Sequence, residues 1–274
     1  VRDVDKYRTR REAARQARAA EMDYILAVGR ASDSPYMWHL QSRFAIANYI
    51  RIADEVSRLA RRRRRRRGES GQPAVLDWGA GFGQLSYLLA ARDCAVTSYD
   101  VGDPGTFPLP IKPDRAIIRG EHPSQLPFAN ASFDVVVSCG VLEHVADDAA
   151  SIAEIHRVLR PQGLFAVYQL PQRWGYIELL VRTLKLGYTH ERYYSGTGIR
   201  RLLATEGFTV SWLRRSNMLP HTLRGLPGPL RAALTDNAQA LLAADLTLAK
   251  IPVLNRFAGI LELLAIRTDS PSPT

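Results

Sequence analysis

The feature that most constrains this chain is a turn. Val75, Leu76, Asp77 and Trp78 read as the end of a buried strand, Gly79, Ala80, Gly81, Phe82 and Gly83 follow, and Gln84 opens a helix. Glycines at that spacing tolerate positive φ and let a ligand approach main-chain N–H groups with no side chain in the way. Beyond the turn, short apolar runs alternate with segments of helical period. After helix 84–92 and strand 95–99 come strand 133–139, a helix from about Asp148 to Leu159 with Ile152, Ile155 and Leu159 on one face, and strand 164–169. Helix 197–206, strand 208–213 and a last strand near 261–267 complete the series. That rhythm predicts an α/β domain over residues 72–267 with a mostly parallel sheet. Residues 217–257 interrupt it before the last strand. They hold an apolar, largely uncharged helix candidate, 230–249, suited to cover a site as a lid or to pack on the body.

Upstream, residues 1–60 read as a helical extension. One helix ends at Gly29, a turn follows at Ser32 to Pro35, and a second helix runs toward Ala60 with Ile46, Tyr49, Ile50 and Ala53 on one stripe. The uninterrupted arginines Arg61 to Arg67 repel one another and Gly68 and Gly71 follow them, which predicts a linker over 61–71; residues 268–274 form a tail. Residues 1–67 carry 18 of the 37 Lys and Arg but 8 of the 27 Asp and Glu, so the whole net charge of +10 sits in the first quarter. Such a segment suits an anionic membrane surface or nucleic acid, or serves as a solvated linker. Cys94 and Cys139 both fall within strands, so no disulfide framework is expected and a reducing, cytoplasmic setting fits. The chain starts on charged residues, and no run of about 18 or more apolar residues marks a membrane span. A soluble protein follows, peripheral to a membrane if the arginines touch one.

Two nucleotide motifs compete for the glycine turn and both fail. The dinucleotide fingerprint needs a third glycine that falls on Gln84 or on Ser86, according to the starting glycine, and the phosphate loop needs a Lys and a Ser or Thr that are absent. With Asp77 before it, the turn instead resembles motif I of the class I S-adenosylmethionine-dependent methyltransferases. Four further segments resemble the family in order: Asp100 after an apolar strand, Leu126-Pro127-Phe128 with Ser132 to Val137, Val141-Leu142-Glu143-His144-Val145, and Leu159-Arg160-Pro161-Gln162-Gly163. The resemblance implies a doubly wound, seven-stranded, Rossmann-like sheet with the helical extension and insertion added to it. It implies S-adenosylmethionine as cofactor, with Gly79, Ala80, Gly81 and Gly83 under its methionine and ribose. Asp77 would structure the loop or face the amino group, and Asp100, with Val101 beside it, would hold the ribose hydroxyls. On the adenine side, either Glu121, next to His122, or backbone would meet the amine, and Cys139 and Gly140 would run beside the cofactor.

Methyl transfer from a sulfonium needs alignment and exclusion of water more than it needs a metal or a covalent nucleophile, and no His, Cys or acid cluster here has metal-ligand spacing. A hydroxyl acceptor calls for a base, and two histidines qualify. His144 lies on the rim after the fourth strand, and His190 precedes a helix start. Either also fits a cofactor-site, capping or turn role. The layout resembles bacterial small-molecule members of the family, including Pro171 to Tyr176, so the expected acceptor is a small molecule or a lipid- or glycan-linked group, methylated on oxygen. Two alternatives stand beside it: an RNA acceptor held by the arginines, less favoured because no aromatic residues are interleaved with them, and a cofactor-binding module without chemistry.

Overall fold

The computed structural model describes residues 2–32, 34, 36–101, 117–176, 179–180, 183, 190–219 and 237–268. Its centre is a sheet of seven strands: β1 (Ala74–Trp78), β2 (Ala95–Asp100), β3 (Ile118–Arg119), β4 (Phe133–Cys139), β5 (Leu159–Pro171), β6 (Phe208–Ser216) and β7 (Ile260–Arg267). Their order is β3-β2-β1-β4-β5-β7-β6. Only β7 runs antiparallel to its neighbours β5 and β6; the remaining pairs are parallel. Because the chain winds outward on either side of β1 and β4, the carboxyl ends of those two strands diverge into a crevice, the usual ligand position in an open sheet.

Both faces are covered, which is why the strands read as continuous apolar runs rather than alternating ones. Along β4, Val135 and Val137 point to one core and Val136 to the other, the two-residue period of a pleated strand. The first core lies under α1 (Arg2–Ala31), α2 (Arg43–Arg66) and α3 (Gln84–Ala90). The second lies under α4 (Asp148–Val158) and α5 (Gly196–Thr205). The side chains of Ser42, Asp147 and Ser195 cap the starts of α2, α4 and α5, each accepting from an N–H three residues on.

One expectation changes and one alternative is resolved. The arginine run is not a connector. It continues α2 to Arg66, and Arg61, Arg63, Arg64 and Arg67 find partners on the body. Arg64 Nη1 donates to Asp134 Oδ2 (2.9 Å), Arg67 pairs with the other oxygen of Asp134 and with Glu69, and Arg160 joins them (2.9 Å). Arg61 reaches Arg92 O (2.8 Å) and Arg63 reaches Gln162 O (2.6 Å). Repulsion is offset because Asp134, fully buried at the start of β4, draws three guanidiniums to one carboxylate. The insertion has two readings, a lid over a site or a helix packed on the body. Its described helix, α6 (Ala238–Leu248), packs against α2, with Ala238 and Leu242 in the first core and Asp245 accepting from Asn217 N and Leu219 N. Residues 230–236 of the expected helix lie outside the described residues.

Candidate active site

The glycine turn leaves the carboxyl end of β1 with Gly79, Gly81 and Gly83 all at positive φ (73°, 53° and 79°). Gly79 N and Ala80 N both donate to Tyr99 O (2.8 and 3.0 Å), tying the turn to β2. Gly81 N donates to Asp100 Oδ2 (2.6 Å), so the carboxylate proposed for the ribose stands against the middle of the loop. A side chain at Gly81 would meet no atom within 4 Å, whereas one at Gly79 would collide with Val141. The loop therefore has a packed side toward β4 and an open side, and the open side is where a nucleoside could lie against backbone. Asp77 is buried under the turn and accepts from Ser86 Oγ (2.5 Å), which in turn meets Ser98 Oγ (2.7 Å). Burial pushes the Asp77 carboxyl up to about 7 against the lowering effect of the Ser86 bond.

Other expected cofactor residues gather at the same end. Cys139 ends β4, and Gly140 follows at φ 71°, with its N–H bonded to Tyr168 O (3.0 Å). Burial raises the Cys139 thiol well above the ordinary range, so it stays a neutral thiol. Val101, Glu121 and His122 have exposed side chains, past the carboxyl ends of β2 and β3. The loop holding Glu121 and His122 is pinned from below, by Tyr99 OH donating to His122 O (2.6 Å) and Trp78 Nε1 donating to Pro123 O (3.2 Å). Trp78 thus serves as a strut under the loop of Glu121 and His122.

His144 and His190, separate in sequence, come together: their rings lie 6.0 Å apart. The segment after His190 is clamped onto the segment after His144. Arg192 donates to Val145 O (3.0 Å) and Ala146 O (3.1 Å), while buried Tyr194 donates to Leu142 O (3.0 Å) and meets Asp148 (3.0 Å). Burial and the neighbouring His190 lower the pKa of His144, which favours its neutral form. Glu143 completes the group. Its side chain is 2% exposed, Oε1 lies 3.9 Å from His144 Nε2, and Oε2 has no hydrogen-bond partner. Burial pushes Glu143 up to about 7, although His190 lowers it. Sequence reading passed over Glu143 because a glutamate beside a histidine carries no sign of burial.

A second omission lies in the extension. Before α2, a short 3-10 helix (Met37–Gln41) brings His39 against Phe82 of the turn (ring centroids 5.8 Å) and Tyr49 of α2 (5.9 Å). Burial holds His39 down at about 4. Tyr49 bonds the Gln84 side chain and lies near Cys139 and Asp77, and burial raises its pKa. Gln84 Oε1 keeps no hydrogen-bond partner. Both rings are half-buried and stand beside the glycine turn, His39 directly against its Phe82. The signal was in the sequence as the α2 stripe that includes Tyr49, but which strand end it would meet was not. No group of three or more His, Cys, Asp or Glu suited to a metal occurs among the described residues.

The open face at Gly81, the carboxylate of Asp100 and the unpartnered Gln84 oxygen fit an amino-acid nucleoside. Comparison with known proteins agrees. A family model described as a methyltransferase domain matches residues 76–167. A protein of Mycolicibacterium smegmatis named as a probable S-adenosylmethionine-dependent methyltransferase is 34% identical over 136 residues, 50% of this chain and 52% of that protein. The ubiquinone biosynthesis O-methyltransferase of Paramagnetospirillum magneticum is 37% identical over 95 residues, 33% of this chain and 38% of that one. The chain thus spans about half the length of the first relative and less of the second. In fold, it is similar to the crystal structure of a SAM-dependent methyltransferase from Thermotoga maritima (TM-score 0.57, 14% identity, 89% of this chain and 99% of that one). With the strand order, the glycine turn and the matched segment in agreement, residues 76–167 form a methyltransferase domain of the S-adenosylmethionine-dependent kind.

Proposed function

We propose that this chain transfers the methyl group of S-adenosylmethionine to an oxygen of a small-molecule, lipid-linked or glycan-linked acceptor. The observation that carries the reading is the group formed by His144, His190 and buried Glu143 past the carboxyl end of β4, the strand next to β1 and its glycine turn. When bound, the cofactor supplies the electrophilic methyl; the protein has to align the acceptor and take its proton. Neutral His144 can accept that proton, and the Glu191 carboxylate, which acts to raise its pKa, favours the imidazolium that results. Glu143, with a pKa of about 7, is itself close to the working range of a base. Asp100 and the open face of Gly81 are the residues for the ribose, Tyr49, His39 and Gln84 stand where the methionine end would lie, and the loop of Glu121 and His122 borders the adenine side. The name of the ubiquinone relative supports oxygen as the acceptor atom. The arginines add little to an RNA reading, because they sit at the amino ends of β1 and β4, away from the crevice.

The test is label transfer from methyl-tritiated S-adenosylmethionine into fractionated lipid, glycan, small-molecule and RNA pools, run beside calorimetry with S-adenosylhomocysteine. Label in a lipid, glycan or small-molecule product that His144→Ala abolishes is expected. Label in RNA would replace the acceptor class, and tight S-adenosylhomocysteine binding without transfer to any pool would indicate a module without chemistry.

A further inference from the structure

The end of the sheet that carries the crevice also carries a cluster of exposed apolar side chains. Past α6 the chain turns through Ile251 and Val253 into a short 3-10 helix (Leu254–Phe257) before entering β7. Val253 is 74% exposed, and Ile251, Leu254 and Phe257 are 46%, 39% and 48% exposed. Trp174, 57% exposed, belongs to the same surface. Its segment is tied to this turn by Gln172, whose side chain donates to Arg256 O (2.7 Å) and whose N–H donates to Gly259 O (2.8 Å). Single exposed hydrophobes are ordinary, but a contiguous set marks a surface that meets something.

These side chains are held outward by a fixed backbone. Asn255 N bonds Ile251 O (2.9 Å), Ala258 N bonds Asn255 O (3.2 Å), and a side chain at Gly175 would come within 2.9 Å of Gly259 Cα, so the two segments lie backbone against backbone. Cations frame the patch. Lys250 and Arg256 bracket Ile251 to Leu254, and the Arg173 guanidinium lies 5.5 Å from the Trp174 ring centre. No Asp or Glu occurs between residues 246 and 261 or between 171 and 176. None of the three cations is paired with an acid among the described residues.

We propose that this surface docks the protein on an anionic phospholipid bilayer. Apolar tips held outward between cations suit a bilayer interface: Val253, Leu254 and Phe257 enter the acyl boundary, Lys250 and Arg256 stay at phosphate level, and Trp174 sits in the headgroup layer. The arginine end of α2 is the more obvious membrane candidate by charge, yet its exposed residues Arg58, Arg62, Arg65 and Arg66 have no apolar neighbour among them. They also stand at the amino ends of the strands. Ile260, where β7 begins, instead pairs with Pro171 and Ser216 at the carboxyl ends of β5 and β6, and Gly259 bonds Gln172 and Asn217 just beyond them. Docking through the patch turns the mouth of the crevice toward the bilayer, and an acceptor dissolved in the membrane would then reach it from there. That last consequence rests on the methyl-transfer reading; docking itself does not.

The experiment is flotation of the full chain with vesicles of phosphatidylcholine alone and of two parts phosphatidylcholine to one part phosphatidylglycerol, with S-adenosylhomocysteine affinity measured on the same samples. The chain is expected to float with the mixed vesicles. Val253→Glu with Phe257→Glu should cut that binding about tenfold or more, while Arg62→Glu, Arg65→Glu and Arg66→Glu together change it less than about twofold. All altered residues are exposed, so an unchanged melting curve shows that each variant is folded. Four results would overturn the proposal: no flotation of the wild type, equal flotation with both vesicles, loss in the arginine variant as large as in the apolar one, or an apolar variant that abolishes a concentration-dependent dimer but not flotation. Absent S-adenosylhomocysteine binding by the wild type would count against methyl transfer alone, since flotation is read independently.

Discussion

Asp100 is held in place by the loop it serves, through the bond from Gly81 N. Replacing it with Ala removes a charged acceptor, an interaction of about 1.5–3 kcal/mol, so S-adenosylhomocysteine should bind roughly 10 to 100 times more weakly. Calorimetry decides: an affinity within about twofold of wild type would remove Asp100 from the ribose site. Glu143 makes a different prediction because it is costly to bury. Its folded pKa of about 7 stands above the unfolded value of 4.5, so the folded state holds a proton that the unfolded state releases as pH rises between the two. Stability is therefore lost across that window and stays lost above it. Glu143→Gln should raise stability by on the order of 2 kcal/mol near pH 8 and by almost nothing near pH 4.5, read from denaturant midpoints. An equal gain at both values would mean that the carboxyl is not shifted. The turn at Gly79 and Gly81 and the placing of Asp77 and Asp100 against it were legible in sequence because local spacing sets them. Glu143, Tyr49 and His39 were not, since burial and long-range approach set theirs.

At the scale of elements, the strands and helices of the domain were readable wherever period and punctuation agreed, as at α4 between Asp147 and Arg160. The arginine run shows where punctuation misleads. Seven like charges followed by glycine read as a linker, because the acid that holds Arg64 and Arg67, Asp134, lies far along the chain and looks like an ordinary residue of an apolar strand. Burial would raise the Asp134 carboxyl, but the bond from Ala74 N and the guanidiniums of Arg64 and Arg160 hold it below the ordinary value. A lowered folded pKa gives stability that is present above the unfolded value of 3.8 and is lost as pH falls through the folded one. Asp134→Asn removes the charge on which Arg64, Arg67 and Arg160 converge, and breaking such a buried group costs on the order of 3 kcal/mol. The loss should be full at neutral pH and should shrink as acid protonates the wild-type carboxyl. A variant as stable as wild type at pH 7 would show that the arginines find equal partners in water.

For the whole molecule the question is whether the first 67 residues are an attachment or part of the body. A linker at residues 61–71 would make them removable. The structure makes α2 a wall of the first core, with Phe44, Ile46, Ile50, Ile52 and Val56 almost wholly buried against α1, α3 and the sheet. Burying each such side chain is worth about 1.5–3 kcal/mol, so the five together contribute roughly 10 kcal/mol, comparable with the total stability of a domain. Arg51 adds polar anchoring by donating to Glu262 of β7 (2.5 and 3.1 Å). Deletion of residues 1–67 should therefore leave a chain without a cooperative melt and without S-adenosylhomocysteine binding. Deletion of residues 1–19 is the control. The described side chains of that stretch are exposed, and α1 enters the core only from Met22. That shorter chain should melt within a few degrees of wild type and keep its affinity. If the longer deletion also melts cooperatively and binds, α2 is an appendage and the pair Tyr49 and His39 beside the turn is dispensable. If both deletions unfold, the exposed first turns of α1 hold more of the fold than their contacts indicate.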